Sequence, residues 1–220
     1  MSKLIIKEDC IEDLFESKIM SMYDIQYEEG KHYYDVTRRN KKDIVATKSA
    51  NDYKTMLPDA VSCVLVLKQK GEEPKLLLSR EYRYPAGQFL LSVPAGLIDD
   101  KGLSRKEAVI NTAIREIKEE TGLSISENDR VEILSPFLFS SPGMTDESNA
   151  FVLVEAKIDD LSVLNQEGAV GSERFDGFVL LTKDEAERVL RQGCDDEGIF
   201  YPMITWMALI CFVSGFMRQI

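Results

Sequence analysis

The sequence predicts a mixed α+β fold with a β-rich N-terminal piece, and three patterns predict it. Runs of alternating apolar and polar residues flank Glu29-Gly30 and Lys70-Gly71, each a hairpin signal. Residues 104–121 carry apolar side chains at helical spacing behind a serine and ahead of a glycine. Near the C-terminal end a strand pattern passes into a charged helical one that stops at Gly193. Strands and helices are interspersed without an internal repeat or a low-complexity linker, so sheet and helix must cover each other's apolar faces.

Residues 1–20 read as a polar lead-in. "KIMSMYDIQYEEGKHYYDVTRRN" reads as a hairpin, with the single histidine, His32, structural or exposed within it, and "KDIVATKS" as a third strand. A small β-rich subdomain is therefore expected over 1–55, with the main domain over 56–220. "DAVSCVLVLKQKGEEPKLLLSREYRY" is a stronger hairpin with β-branched and leucine-rich arms. "GQFLLSVPAGLI" supplies one more short strand, and "RVEILSPFLFSSPGMTDESNAFVLVEAKI" two strands around a Pro/Gly loop. "FDGFVLLTKDEAERVLRQG" is a strand and then a helix. The uncharged run from Ile199 to Met217 is long enough for a bilayer span, but Pro202, Thr205, Ser214 and Gly215 interrupt it. It reads as a terminal helix buried against a core or a subunit interface.

Composition narrows the function. The chain has 220 residues, 44% of them hydrophobic and 30% charged, as soluble globular domains do. A net charge of −11 argues against a nucleic-acid surface, which needs a basic footprint. It also disfavours an anionic substrate unless cations bridge the two. Cys10, Cys63, Cys194 and Cys211 are far apart with no CxxC pairing, and Met1 to Phe15 is charged throughout with no leader pattern. A reduced, cytoplasmic protein is expected, with no membrane span and the thiols acting as small hydrophobes.

The helix holds the strongest chemical signal. Ser104 and Glu107 have capping-box spacing, Ile110, Ala113, Ile114 and Ile117 are the expected core face, and Gly122 is the expected left-handed stop. Arg115, Glu116, Glu119 and Glu120 fall within six residues; Glu116 and Glu120 share a face, and Arg115 reaches Glu119 at i,i+4. On spacing alone this is a solvated charged face with one ion pair. Carboxylates four apart repel each other when unpaired, and a divalent cation with oxygen ligands removes that cost.

Arg115-Glu116-Ile117-Lys118-Glu119-Glu120-Thr121-Gly122-Leu123 resembles the second half of the Nudix box, R-E-U-x-E-E-x-G-U with U aliphatic. The lead-in Pro94-Ala95-Gly96-Leu97-Ile98-Asp99 is similar to the subgroup that hydrolyses ADP-ribose and related nucleoside diphosphate sugars; "SREYRYPAGQFLLSVPAG" and "SSPGMTDE" resemble its arginine-bearing segment and the loop after its box. The resemblance spans about residues 20–190. It implies an α/β/α sandwich, the Nudix fold with a mixed sheet between helices, plus a small N-terminal β-sheet subdomain. It implies Mg²⁺ or Mn²⁺ held by Glu116, Glu120, the backbone oxygen of Ala95 and Glu119, the last as ligand or base, with Arg115 orienting the glutamates. It makes Glu147 the general base and Arg80 and Arg83 phosphate contacts, with Tyr82 or Tyr84 stacking on a base. Without it, Glu147 sits in a surface turn and the arginines snorkel from a strand end.

Two departures stand out. Ten residues separate Gly96 from Glu107 where the box has five, so either the loop is longer and Glu107 keeps the first-glutamate role, or the helix is longer and Leu103 takes that place. The capping box favours the second, and Glu107 is left out of the metal site. Ser92 occupies a position where the subgroup often carries Glu. Metal-dependent hydrolysis of the pyrophosphate of ADP-ribose or a related nucleotide sugar is the leading expectation. The alternatives are another nucleotide substrate (NADH, a dinucleoside polyphosphate) or a non-catalytic sensor of such a ligand. The resemblance also implies a homodimer formed through the N-terminal sheet.

Overall fold

A computed structural model describes residues 5–99 and 102–215. The chain divides into two units: Met1–Asp59 with Phe137–Asn149, and Ala60–Pro136 with Ala150–Ile220.

In the first unit, β1 (Ile11–Glu16), β2 (Ser21–Glu28) and β3 (Lys31–Thr37) form an antiparallel sheet in that order. The β2–β3 turn is the expected hairpin, with Gly30 at φ 70°. The third strand is not "KDIVATKS". That stretch forms short 3-10 helices, Lys41–Asp43 and Val45–Thr47, and the third strand comes from the supposed lead-in. The reason lies in the burial. Ile44 and Val45 are neighbours and both buried, which a strand with one face inward cannot do. In β1 only Ile11 is buried, so the strand carries no apolar alternation to read. Ile11, Tyr23, Ile25 and Ile44 form this unit's core.

The second unit contains β4 (Ala60–Gln69), β5 (Lys75–Arg83), β6 (Gln88–Ser92), β7 (Ala95–Leu97), α1 (Arg105–Thr121), β10 (Phe175–Leu181), α2 (Lys183–Gln192) and α3 (Met203–Ser214). With β8 (Arg130–Phe139) and β9 (Ser148–Ile158), whose ends belong to the first unit, these strands make a seven-stranded mixed sheet in the order β10-β5-β4-β9-β8. "GQFLLSVPAGLI" gives two short strands rather than one, β6 on β5 and β7 on β4. Val61, Cys63, Leu65 and Leu77 pack with Val109, Ala113 and Ile117 of α1 on one sheet face. Their buried neighbours Val64, Val66, Leu76 and Leu78 point to the other, toward α2 and α3, where Thr205 Oγ1 donates to the Leu91 carbonyl at 2.7 Å. Among the described residues no helix is long and apolar enough to cross a membrane; Phe216 and Met217 of the apolar run lie outside them.

Candidate active site

Helix α1 is built as the sequence requires at both ends. Ser104 Oγ accepts from Glu107 N–H while the Glu107 carboxylate accepts from Ser104 N–H, and Gly122 takes φ 74°. Glu107 is thereby committed to the cap and is exposed. Ala113 and Ile117 are buried as expected, but Val109 joins them while Ile110 and Ile114 are only half-buried, so the buried face is rotated from the expected one. This rotation carries Glu116 and Glu120 inward, and they are only 5% and 4% exposed. They do not lie on a solvated face.

Strand β7 closes over them. Ala95 N–H donates to Glu120 Oε1 at 3.2 Å. A Cβ on Gly96 would stand 1.8 Å from Glu116 Oε1, so glycine lets the backbone come this close with the Glu116 carboxylate in its present place. Arg115 Nη2 reaches Glu116 Oε1 at 2.7 Å and the Leu97 carbonyl at 3.0 Å, while Nη1 donates to Glu119 Oε2 at 2.9 Å. Burial pushes the Glu120 carboxyl up to about 9; the Ala95 N–H opposes this, and Glu81, Glu116 and Glu173 add to it. Burial also raises Glu116, against the pull of Arg115. The Cys63 thiol is raised by burial and then by these two carboxylates, so it is an inert neighbour.

Glu81 is the group that sequence reasoning missed. It is 8% exposed on β5, its carboxyl is raised by burial and lowered by Arg83, and it pairs with Arg83 at 2.5 Å. By strand alternation Glu81 lies on the same sheet face as Leu77, the α1 face. Arg80 lies on the other face and is held by Asp195 at 3.4 Å and Glu197 at 3.0 Å, so the structure does not bring it to the α1 carboxylates. Tyr84 is exposed, donates to the Ser172 carbonyl at 3.3 Å, and meets Tyr82 edge-on. Ser92 is buried, and its hydroxyl acts on the Glu81 carboxyl from close by, lowering it. Glu81 is adjacent to Arg80 on β5, and strand alternation alone separates the two faces.

Glu147 belongs to the first unit, where its Oε1 accepts from Arg38 Nε at 3.3 Å. His32 Nδ1 lies 2.7 Å from Asp24 Oδ2, a structural pairing. Among the described residues, no three His, Cys, Asp or Glu side chains are gathered into a ready metal cage. The donor set nonetheless suits a hard divalent cation: two buried carboxylates, one of them raised by its acidic neighbours, beside backbone that approaches them closely at Gly96.

A family model described as NUDIX domain matches residues 56–199. A putative nudix hydrolase from Caenorhabditis elegans is 37% identical over 46% of this chain and 41% of its own length. An ADP-ribose pyrophosphatase from Saccharomyces cerevisiae is 35% identical over 44% of this chain and 38% of its own. An ADP-sugar pyrophosphatase from Mus musculus is 31% identical over 58% of this chain and 54% of its own. The chain thus spans about half, or less, of the length of these relatives. A crystal structure of an ADP compounds hydrolase shares the fold, with TM-score 0.53 and 19% identity over 94% of this chain and 91% of that one.

Proposed function

The chain belongs to the Nudix hydrolase family, and we propose that it hydrolyses the pyrophosphate linkage of ADP-ribose or a related nucleoside diphosphate sugar with Mg²⁺ or Mn²⁺. One observation carries the reading: Glu116 and Glu120 are buried together under β7, and among the described residues no cationic side chain pairs with Glu120. Glu116, Glu119, Glu120 and the Ala95 carbonyl would hold the cation. When bound, it neutralises the phosphates and sharpens the attacking water. Arg115 fixes the carboxylate rotamers by spanning Glu116, Glu119 and the Leu97 carbonyl. Arg83, 45% exposed on the α1 side of the sheet, is the phosphate contact; Glu81 orients it. Tyr84 offers an exposed ring for a base. In the proposed step Glu147 takes the proton of a water whose oxygen attacks phosphorus, and the P–O–P bond breaks to leave two phosphate monoesters. The nucleotide-sugar class is supported by the names of the yeast and mouse relatives and by the stretches around the box.

The test is an assay of ADP-ribose and other nucleotide sugars with Mg²⁺ or Mn²⁺, before and after chelation. Release of phosphate monoesters that stops on chelation is the expected result. No turnover on any nucleoside diphosphate sugar, or turnover indifferent to chelation, overturns it. A homodimer belongs to the same proposal, supported by exposed Leu14, Phe15, Tyr33 and Tyr34 on the N-terminal sheet; a monomeric mass in light scattering at micromolar concentration contradicts it.

A further inference from the structure

We propose that the outer edge of β3 is a clamp for loop 141–147, and that Arg38 is the positioning residue of Glu147. The second half of this inference rests on the reading of Glu147 as general base. Strand β3 is an edge of its sheet, and an edge leaves backbone groups that must pair outside the sheet. The loop takes that edge in step. Tyr33 Oη donates to the Gly143 carbonyl at 2.7 Å. Val36 N–H donates to the Met144 carbonyl at 3.1 Å, and Val36 and Thr145 form a parallel bridge. Asp146 N–H donates to Asp35 Oδ1 at 3.0 Å, and Arg38 Nε donates to Glu147 Oε1 at 3.3 Å. Asp146 carries the attachment further, its Oδ2 accepting from Val45 N–H at 2.9 Å. Ser140 N–H closes the base of the loop on the Glu147 carbonyl at 2.9 Å.

The loop needs this support. It contains Pro142 and Gly143, and fixing each backbone residue costs conformational entropy that contacts must offset. The Glu147 side chain is 34% exposed, so packing alone does not select its rotamer; among the described residues its side-chain hydrogen bond goes to Arg38. The edge strand therefore does two jobs. It orders the loop backbone through Tyr33, Asp35 and Val36, and it aims one carboxylate through Arg38.

Kinetics with ADP-ribose and Mg²⁺ on R38A, R38K, E147Q and the R38A/E147Q double variant test the aiming. Hydrogen exchange over residues 141–147 in Y33F/R38A tests the clamp. Arg38 and Tyr33 are both partly exposed, so these variants fold. R38A should lower kcat roughly tenfold with KM little changed, as for a group that acts through the base. R38K should recover part of the loss, and R38A should cost nothing more in the E147Q background. Exchange over 141–147 should rise in Y33F/R38A while β4 stays protected. Unchanged exchange overturns the clamp, and a full further loss of kcat on top of E147Q overturns the positioning role. Wild-type turnover in E147Q would instead defeat the base assignment and, with it, the role of Arg38; exchange then decides the clamp by itself.

Discussion

The two carboxylate clusters of this chain are built on opposite plans. In the first unit, Arg39 is buried among acids, with a side chain only 13% exposed. It donates to Asp59 Oδ2 at 2.9 Å, to the Leu57 carbonyl and Ser148 Oγ at 3.2 Å, and lies 3.8 Å from Asp146. That cluster carries its own cation. In the second unit, Arg115 is 41% exposed and spans Glu116 and Glu119, and Glu120 has a backbone N–H in place of a cationic partner among the described residues. A cluster that holds a fold together neutralises itself. One that leaves a buried carboxyl at about 9 is suited to a charge arriving from outside.

The sharpest way to break this contrast is to remove each cluster's arginine or acid and ask what fails. Arg39→Ala strands Asp59 and Asp146 without their cation. It should destabilise the protein by about 3–5 kcal/mol in urea unfolding, the usual result of breaking a buried pair from one side. A loss under about 1 kcal/mol would mean that Arg39 is not what holds these acids. Glu120→Gln and Glu116→Gln should behave in reverse. Turnover should fall at least about a hundredfold at saturating Mg²⁺. Without metal the melting temperature should hold, because Gln keeps the shape of a carboxyl that burial already holds toward its neutral form. Near-normal turnover in both variants would sink the ligand set.

The same contrast explains what could be read in advance. The α1 cluster was legible because its chemistry lies in one continuous stretch, with a cap at Ser104, a stop at Gly122 and four charged residues between. What could not be read was the rotation of the helix. Ile110 and Ile114 are as apolar as Ile117, and only the sheet decides that Val109 faces it instead. The Arg39 cluster drew no attention at all. Its members lie at positions 39, 59, 146 and 148, and the hydrogen bonds that join them span 20 and 109 residues. For the same reason 1–55 looked like a self-contained segment, yet residues 137–149 belong to the same compact unit. Strand β1 escaped because one buried residue in six leaves no period to detect.

A smaller effect is expected at Asp35, next to the Arg39 cluster. Burial, and then repulsion from Asp146, raises its carboxyl from 3.8 to about 6, against the Asp146 N–H and Arg39. Among the described residues its buried Oδ2 has no hydrogen-bond partner. Between about pH 4 and 6 the folded state holds a proton here that the unfolded chain has released. This contribution is therefore complete below the unfolded pKa and declines as pH rises through the window, by up to about 1.4 kcal/mol per pH unit. Asp35→Asn should flatten that slope in unfolding experiments run from pH 4 to 7. An unchanged slope would show that Asp35 is ionised throughout.

The finest probe of the contrast is a single methyl group placed against each kind of neighbour. At Gly96 a Cβ meets the Glu116 carboxylate at 1.8 Å, a side-chain end that can swing away. At Gly168 it meets the Glu119 carbonyl oxygen at 2.4 Å, backbone of α1 that cannot move without moving the helix. Gly168→Ala should therefore act on the fold, lowering the melting temperature and leaving kcat of the folded fraction close to normal. Gly96→Ala should act on the site. Glu116 yields, the fold survives, and its carboxylate leaves the place where Arg115 and β7 hold it. Displacing a charged group by about 1 Å at a reacting centre costs tenfold or more in turnover. Mn²⁺ affinity should fall with it, since the displaced group is a proposed ligand. If Gly96→Ala instead unfolds the protein while keeping full turnover in the folded fraction, Glu116 is there to pack β7 onto α1, and the second cluster is structural like the first.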